Sequence, residues 1–171
     1  IELNGDVIET VSETKLLGTI ITDKLDWRKN TENIVKEANK RMCFLHKSSK
    51  FATNRQDLKK IYILQIRSKL EQSAVLWHSS LTQICRNKLE RVQKSALRIM
   101  MGSKYTSYSD ALEKLNLQTL DERRQSLCLK FAKKCLETEK LKKIFPLSRK
   151  KHHMEKRGNE KYFVTKSFTE R

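Results

Sequence analysis

The chain has 171 residues and a mass of 20.2 kDa, room for one ordinary core but not for a large multi-domain enzyme. Lys and Arg number 37 against 20 Asp and Glu, and the resulting net charge of +17 points to a polyanionic partner, nucleic acid first. Four glycines and one proline are too few turn formers for an all-β protein, and the longest charge-free run, Gln72 to Cys85, is too short and polar to span a bilayer.

The first expected element is a hairpin in which Ile1-Glu2-Leu3 and Asp6-Val7-Ile8-Glu9 flank Asn4-Gly5, residues suited to the two positive φ angles of a type I′ turn. The apolar, β-branched run from Lys15 to Ile21 predicts a third strand, which needs a neighbouring surface to be stable. From Trp27 the period becomes helical, and Ile34, Val35, Ala38, Met42 and Leu45 predict a first helix over 28–49. Thr53 and Asn54 can each cap the next element, where Leu58, Ile61, Tyr62, Ile66, Leu70, Ala74 and Trp77 predict a second helix over 55–79.

A third stripe, Leu89, Val92, Ala96, Leu97 and Met100, ends at Gly102 and is interleaved with Arg86, Lys88, Arg91, Lys94 and Arg98. Ser109 to Leu115 predicts a short helix, and Thr119 to Glu122 is a capping box that opens a fourth. The apolar face of that helix is expected to hold Leu120, Leu127, Cys128, Phe131, Ala132, Cys135 and Leu136, with Arg123, Arg124, Lys130, Lys133 and Lys134 near solvent. Residues 140–171 carry 11 Lys plus Arg against 3 Glu, so this tail holds +8 of the charge and is expected to be mobile when alone. The fold class expected is mainly α: a helical bundle with a small N-terminal β-hairpin element and a basic, disordered C-terminal tail.

Motifs for nucleotide phosphates, zinc proteolysis and acyl transfer are absent. Asp6, Asp23, Asp26, Asp57, Asp110 and Asp121 are scattered, whereas a two-metal polymerase or nuclease site clusters its carboxylates. Asp23 and Asp26 read as turn formers. Cys43, Cys85, Cys128 and Cys135 lie in apolar helical stripes without metal-ligand spacing, which predicts free buried thiols in a reducing, intracellular compartment and no bound metal. Tyr105, Tyr108, Tyr162 and Phe163 lie among basic or polar residues where they can stack on bases, pack on sugars or serve the core. Trp27 and Trp77 read as hydrophobic anchors.

Leu3-Asn4-Gly5, Lys15-Leu16-Leu17-Gly18 and Leu25-Asp26-Trp27 occur in the order found just after the catalytic core of non-LTR (LINE-like) retrotransposon reverse transcriptases, and the chain resembles that region. Ile61-Tyr62, Leu70-Glu71, Trp77-His78-Ser79-Ser80-Leu81-Thr82, Leu89 to Lys94 and Arg123 to Ala132 resemble the same family's downstream helical blocks. The resemblance implies that Lys15, Leu16, Leu17 and Gly18 correspond to the primer grip, and that the later helices form a thumb holding template and primer. The chain departs from the family at Leu16 and Gln72, where aromatic residues are common. The family's catalytic Asp pair falls upstream of Ile1, so the chain is expected to be a C-terminal fragment, inactive alone.

These readings divide the chain into a β element (1–25), a helical thumb-like domain (26–139) and the basic tail (140–171). The expected partners are RNA or an RNA–DNA hybrid and the upstream palm of the parent polymerase, with no membrane. No cofactor is expected in the fragment, and Mg²⁺ is expected in the parent. Arg91, Lys94, Arg98, Arg124, Lys130 and Lys133, with Arg149, Lys150 and Lys151 of the tail, are the expected nucleic-acid contacts. The alternatives are a helical module that docks on a polymerase palm, favoured if Ile20, Ile21 and Trp27 are exposed, and a decayed element copy without a selected function.

Overall fold

A computed structural model describes residues 2–3, 6–7, 9–51 and 54–142. The Asn4-Gly5 turn, Thr53 and the tail beyond 142, with Arg149, Lys150, Lys151, Tyr162 and Phe163, lie outside the described residues.

The fold is mainly helical. Strand β1 (Glu2–Leu3) pairs antiparallel with β2 (Asp6–Val7) in the register Glu2 to Val7 and Leu3 to Asp6. The single strand expected from Lys15 to Ile21 is instead a hairpin, β3 (Glu13–Leu16) against β4 (Thr19–Thr22). Its chain reverses at Leu17 and Gly18, with φ of 48° and 82°, the pair of positive angles that a tight hairpin needs. Leucine is a poor resident of that region, which is why no turn signal was legible there.

Helix α1 (Arg28–Phe51) buries Asn30, Thr31, Ile34, Ala38 and Leu45 on one face. Asp26 receives the Arg28 amide at 2.9 Å and Asp23 the Lys24 amide at 2.8 Å, the turn-forming roles expected of both. Asn30 Oδ1 accepts from the Ile20 amide at 3.1 Å and so fastens β4 to α1.

The second predicted helix is broken into pieces. Asn54 caps α2 (Arg55–Ile61), which widens into a π-helical segment (Tyr62–Arg67), returns to α3 (Ser68–Leu70), and resumes after Ser73 (φ 54°) as α4 (Ala74–Trp77). The cause is visible in the stripe Leu58, Tyr62, Ile66, Leu70, Ala74, all of it buried. A strict four-residue repeat on a helix of about 3.6 residues per turn drifts by roughly 40° at each step. The wider π turns cancel that drift and keep the stripe on the core. Trp77 Nε1 then donates to the Gln72 carbonyl at 3.0 Å across the break.

Helix α5 (Gln83–Met101) is the central strut, with Thr82 as its N-cap and Gly102 (φ 54°) as its C-terminal stop. It packs against α1 on one side and against α6 (Tyr108–Lys114) and α7 (Leu120–Glu137) on the other. Between α6 and α7 the Leu117 amide reaches the Leu112 carbonyl at 2.8 Å around Asn116 (φ 47°), which closes α6 in a Schellman motif. The capping box of Thr119 and Glu122 is present, and α7 leads into α8 (Glu139–Lys142).

Trp77, Tyr62, Leu45, Ile66, Leu70, Leu89, Leu97 and Leu120 fill the core, with Trp27 at its edge. The two tryptophans are the anchors the sequence indicated, and burial of Trp27 removes one observation that was to favour exposed docking. Two other expectations fail. Phe131 is half exposed, and Arg124, assigned to the solvent side of α7, is fully buried. All four cysteines are free thiols, but of the four expected to be buried only Cys85 and Cys135 are, with Cys128 half-buried and Cys43 exposed.

Candidate nucleic-acid interface

The exposed ridge of α5 carries Arg91 and Arg98, with Lys88 and Lys94 on its flanks. Arg91, Lys94 and Arg98 recur at three and four positions and therefore share one side of the helix. Beside this ridge α1 and α5 leave a groove of about 450 Å³, with Val35 and Val92 at its floor and Lys36, Lys88 and Arg91 at its rim. Glu32 crosses it to pair with Lys88 at 2.8 Å, an exchange between largely solvated groups that adds little stability. Lys36 on α1 was not singled out in the sequence. It faces Arg91 only because the two helices pack side by side.

Two cations of the α5 ridge lie over aromatic faces. Lys94 Nζ is 5.0 Å from the centre of the Tyr108 ring, and the Arg98 guanidinium is 5.4 Å from that of Tyr105. Tyr108 also donates to Glu90 and receives Gln93 Nε2 at 2.7 Å, so its hydroxyl is committed to the protein interior. Burial and the Glu90 carboxylate both push its phenol up. Tyr62, buried and likewise pushed up, donates to Gln93 Oε1. Of the residues offered for base stacking, Tyr108 thus has a structural role and Tyr105 packs partly buried against the core, while the Tyr62–Gln93–Tyr108–Glu90 chain was not legible in the sequence.

Arg124 cannot make the surface contact expected of it. It is fully buried, its Nε donates to His78 Nδ1 at 3.4 Å, and its guanidinium lies 5.9 Å from the Trp77 ring. Desolvation, then Arg86 and Arg124, depress the His78 pKa to about 4, so the imidazole is neutral and able to accept that bond. Lys130 and Lys133 are exposed on α7 and make no ion pair among the described residues.

Lys15, Leu16, Leu17 and Gly18, the four residues expected at a primer grip, sit together on the β3–β4 hairpin. Leu17 is 88% exposed and Leu16 is 59% exposed. Gln72 Nε2 donates to the Leu17 carbonyl at 3.0 Å and so holds the turn.

Among the described residues no group of three or more His, Cys, Asp or Glu side chains is placed to hold a metal ion. No helix among the described residues is long and apolar enough to cross a membrane. No protein-family model matches this chain, and no curated protein or solved structure matches it. The class defined by fold and surface is a basic, mainly helical domain with a docked β-hairpin.

Proposed function

We propose that this chain is the thumb-side, C-terminal part of a non-LTR retrotransposon reverse transcriptase and that it binds template–primer nucleic acid, RNA or an RNA–DNA hybrid, without a catalytic site of its own. The observation that carries the reading is the α5 ridge of Arg91, Lys94 and Arg98 beside a groove rimmed by Lys36 and Lys88. Cations at this spacing suit phosphate contacts, which position a duplex without reading its sequence. The four free thiols agree with an intracellular site of action, nuclear or cytoplasmic.

The test is fluorescence anisotropy of the full chain with an RNA–DNA hybrid over a salt series. The expected result is binding that weakens steeply and log-linearly with salt, indifferent to base sequence. Absence of binding at low salt would overturn the reading.

A second reading, a module that docks on a polymerase palm, is favoured by the exposed Leu16 and Leu17 at the hairpin turn. It is distinguished by a complex with an upstream palm domain that survives high salt and is lost in Leu17→Ser.

A further inference from the structure

Arg124 carries more donors than its surroundings satisfy. Its Nη1 and Nη2 are buried and make no hydrogen bond, an arrangement that folded proteins seldom leave uncompensated. The Asp121 carboxylate approaches, but its Oδ1 is 3.8 Å from Arg124 Nη2, beyond hydrogen-bond range. The same oxygen already accepts from Arg86 Nη1 at 2.6 Å. Arg86 is itself fixed by the carbonyls of His78 and Leu81, at 3.0 and 3.3 Å. Asp121 and Arg86 open on a groove of about 360 Å³ that Lys94 and Asn87 also line.

We propose that this corner is a binding site for a phosphate group, and that Asp121 is an internal stand-in which the ligand displaces. One carboxylate oxygen does not serve both guanidinium groups at hydrogen-bond distance. Arg124 is fully buried and does not itself line the groove, but its Nη2 is 3.8 Å from Asp121, which does. A phosphate presents up to two charges and several acceptor oxygens, enough to bridge Arg86 and, from the place Asp121 vacates, Arg124 Nη2. The Asp121 side chain is 47% exposed, so it turns outward to solvent at little cost in burial. Glu90, the other carboxylate of the groove, is held by the Tyr108 hydroxyl and by the Leu120 amide at 3.1 Å. With Asp121 displaced, Arg86, Lys94 and Arg124 outnumber it. The site is centred on Arg86, Arg124 and Asp121 and shares only Lys94 with the α5 ridge of the proposed function.

The test is titration of the isotope-labelled full chain with inorganic phosphate at constant ionic strength, followed by NMR of the Arg side chains and the first-turn amides of α7. The expected result is a saturable shift at these groups, about tenfold tighter in Asp121→Asn and lost in Arg86→Gln. Arg124→Met, which retains an unbranched apolar stem over Trp77, is expected to fold and to lose the response. No saturable shift in Asp121→Asn, or an undiminished one in Arg86→Gln, would overturn the site. A hybrid duplex added as competitor, with or without a 5′-phosphate, names the source. Displacement by the phosphorylated duplex alone identifies a nucleic-acid end, and displacement by neither identifies a free phosphate compound; both outcomes support the site. Because the readout is inorganic phosphate, its failure is separate from any failure of the chain to bind duplex.

Discussion

The side-chain amide of Gln72 donates to the carbonyl of Leu17 at 3.0 Å, joining two residues 55 positions apart. The bond ties the β3–β4 turn to the break between α3 and α4, so a local irregularity in the helices sets where the hairpin points. A Cβ on Gly18 would lie 2.7 Å from Gln72 Nε2, which shows how closely the two segments meet. Gln72→Ala is expected to cost about 1 kcal/mol and to speed amide exchange in Lys15–Ile20 while α5 is unchanged. Gly18→Ala adds strain at φ +82° and is expected to cost about 1–2 kcal/mol. Equal exchange rates in wild type and Gln72→Ala would show that the bond does not hold the turn.

Arg124 separates charge from packing. Arg124→Ala empties a fully buried site beside Trp77 and is expected to cost about 3–5 kcal/mol. Arg124→Met fills the space without burying unpartnered donors and is expected to lie within about 1 kcal/mol of wild type or to stabilise the fold. Denaturant midpoints of the two variants check the contrast, and similar losses in both would mean that the charge itself supports the fold.

His78 predicts an acid weakness. Its folded-state pKa of about 4 lies below the ordinary value of 6.5, because burial and the adjacent Arg86 and Arg124 disfavour the imidazolium, with Asp121 opposing them. The unfolded chain therefore binds more protons between these values, and the stability held above pH 6.5 drains as the pH falls towards 4. The loss is expected to be on the order of 2–3 kcal/mol in that window. His78→Gln should flatten this part of the pH profile measured by urea unfolding, since Gln does not titrate there.

The proposed duplex interface predicts unequal weights for the basic residues. Arg91→Glu with Lys36→Glu, on the two rims of one groove, is expected to weaken hybrid binding at least tenfold and to reduce the salt slope by about 2. Lys130→Glu on α7 is expected to have a smaller effect. An unchanged slope in the double variant would move the interface away from this groove.

The helix periodicities, the Thr119 capping box and the Gly102 stop were legible because they depend on neighbours within four residues. The break in the second helix was less legible, although its cause lies in the sequence: a strict repeat of four drifts off one face, and only the core decided to restore it with π turns rather than let Ala74 leave. The Leu17-Gly18 reversal was missed because Leu17 gives no turn signal of its own.

Of the candidate contacts, Arg91 and Arg98 were readable as exposed positions between the apolar residues of α5, while Arg124 was not readable as buried. Helical spacing places a residue on a face but does not say how far a neighbouring element covers that face. His78 on the segment after α4 and Trp77 within it, remote in sequence from α7, enclose the guanidinium. The sequence by itself determined the helical class, the caps and the large positive charge, all of which are sums of local terms. Tertiary structure alone decided which cations reach solvent, that Lys36 faces Arg91 across a groove, and that Asp121 lies between Arg86 and Arg124, because each depends on contacts between segments whose separation in sequence carries no record of their approach.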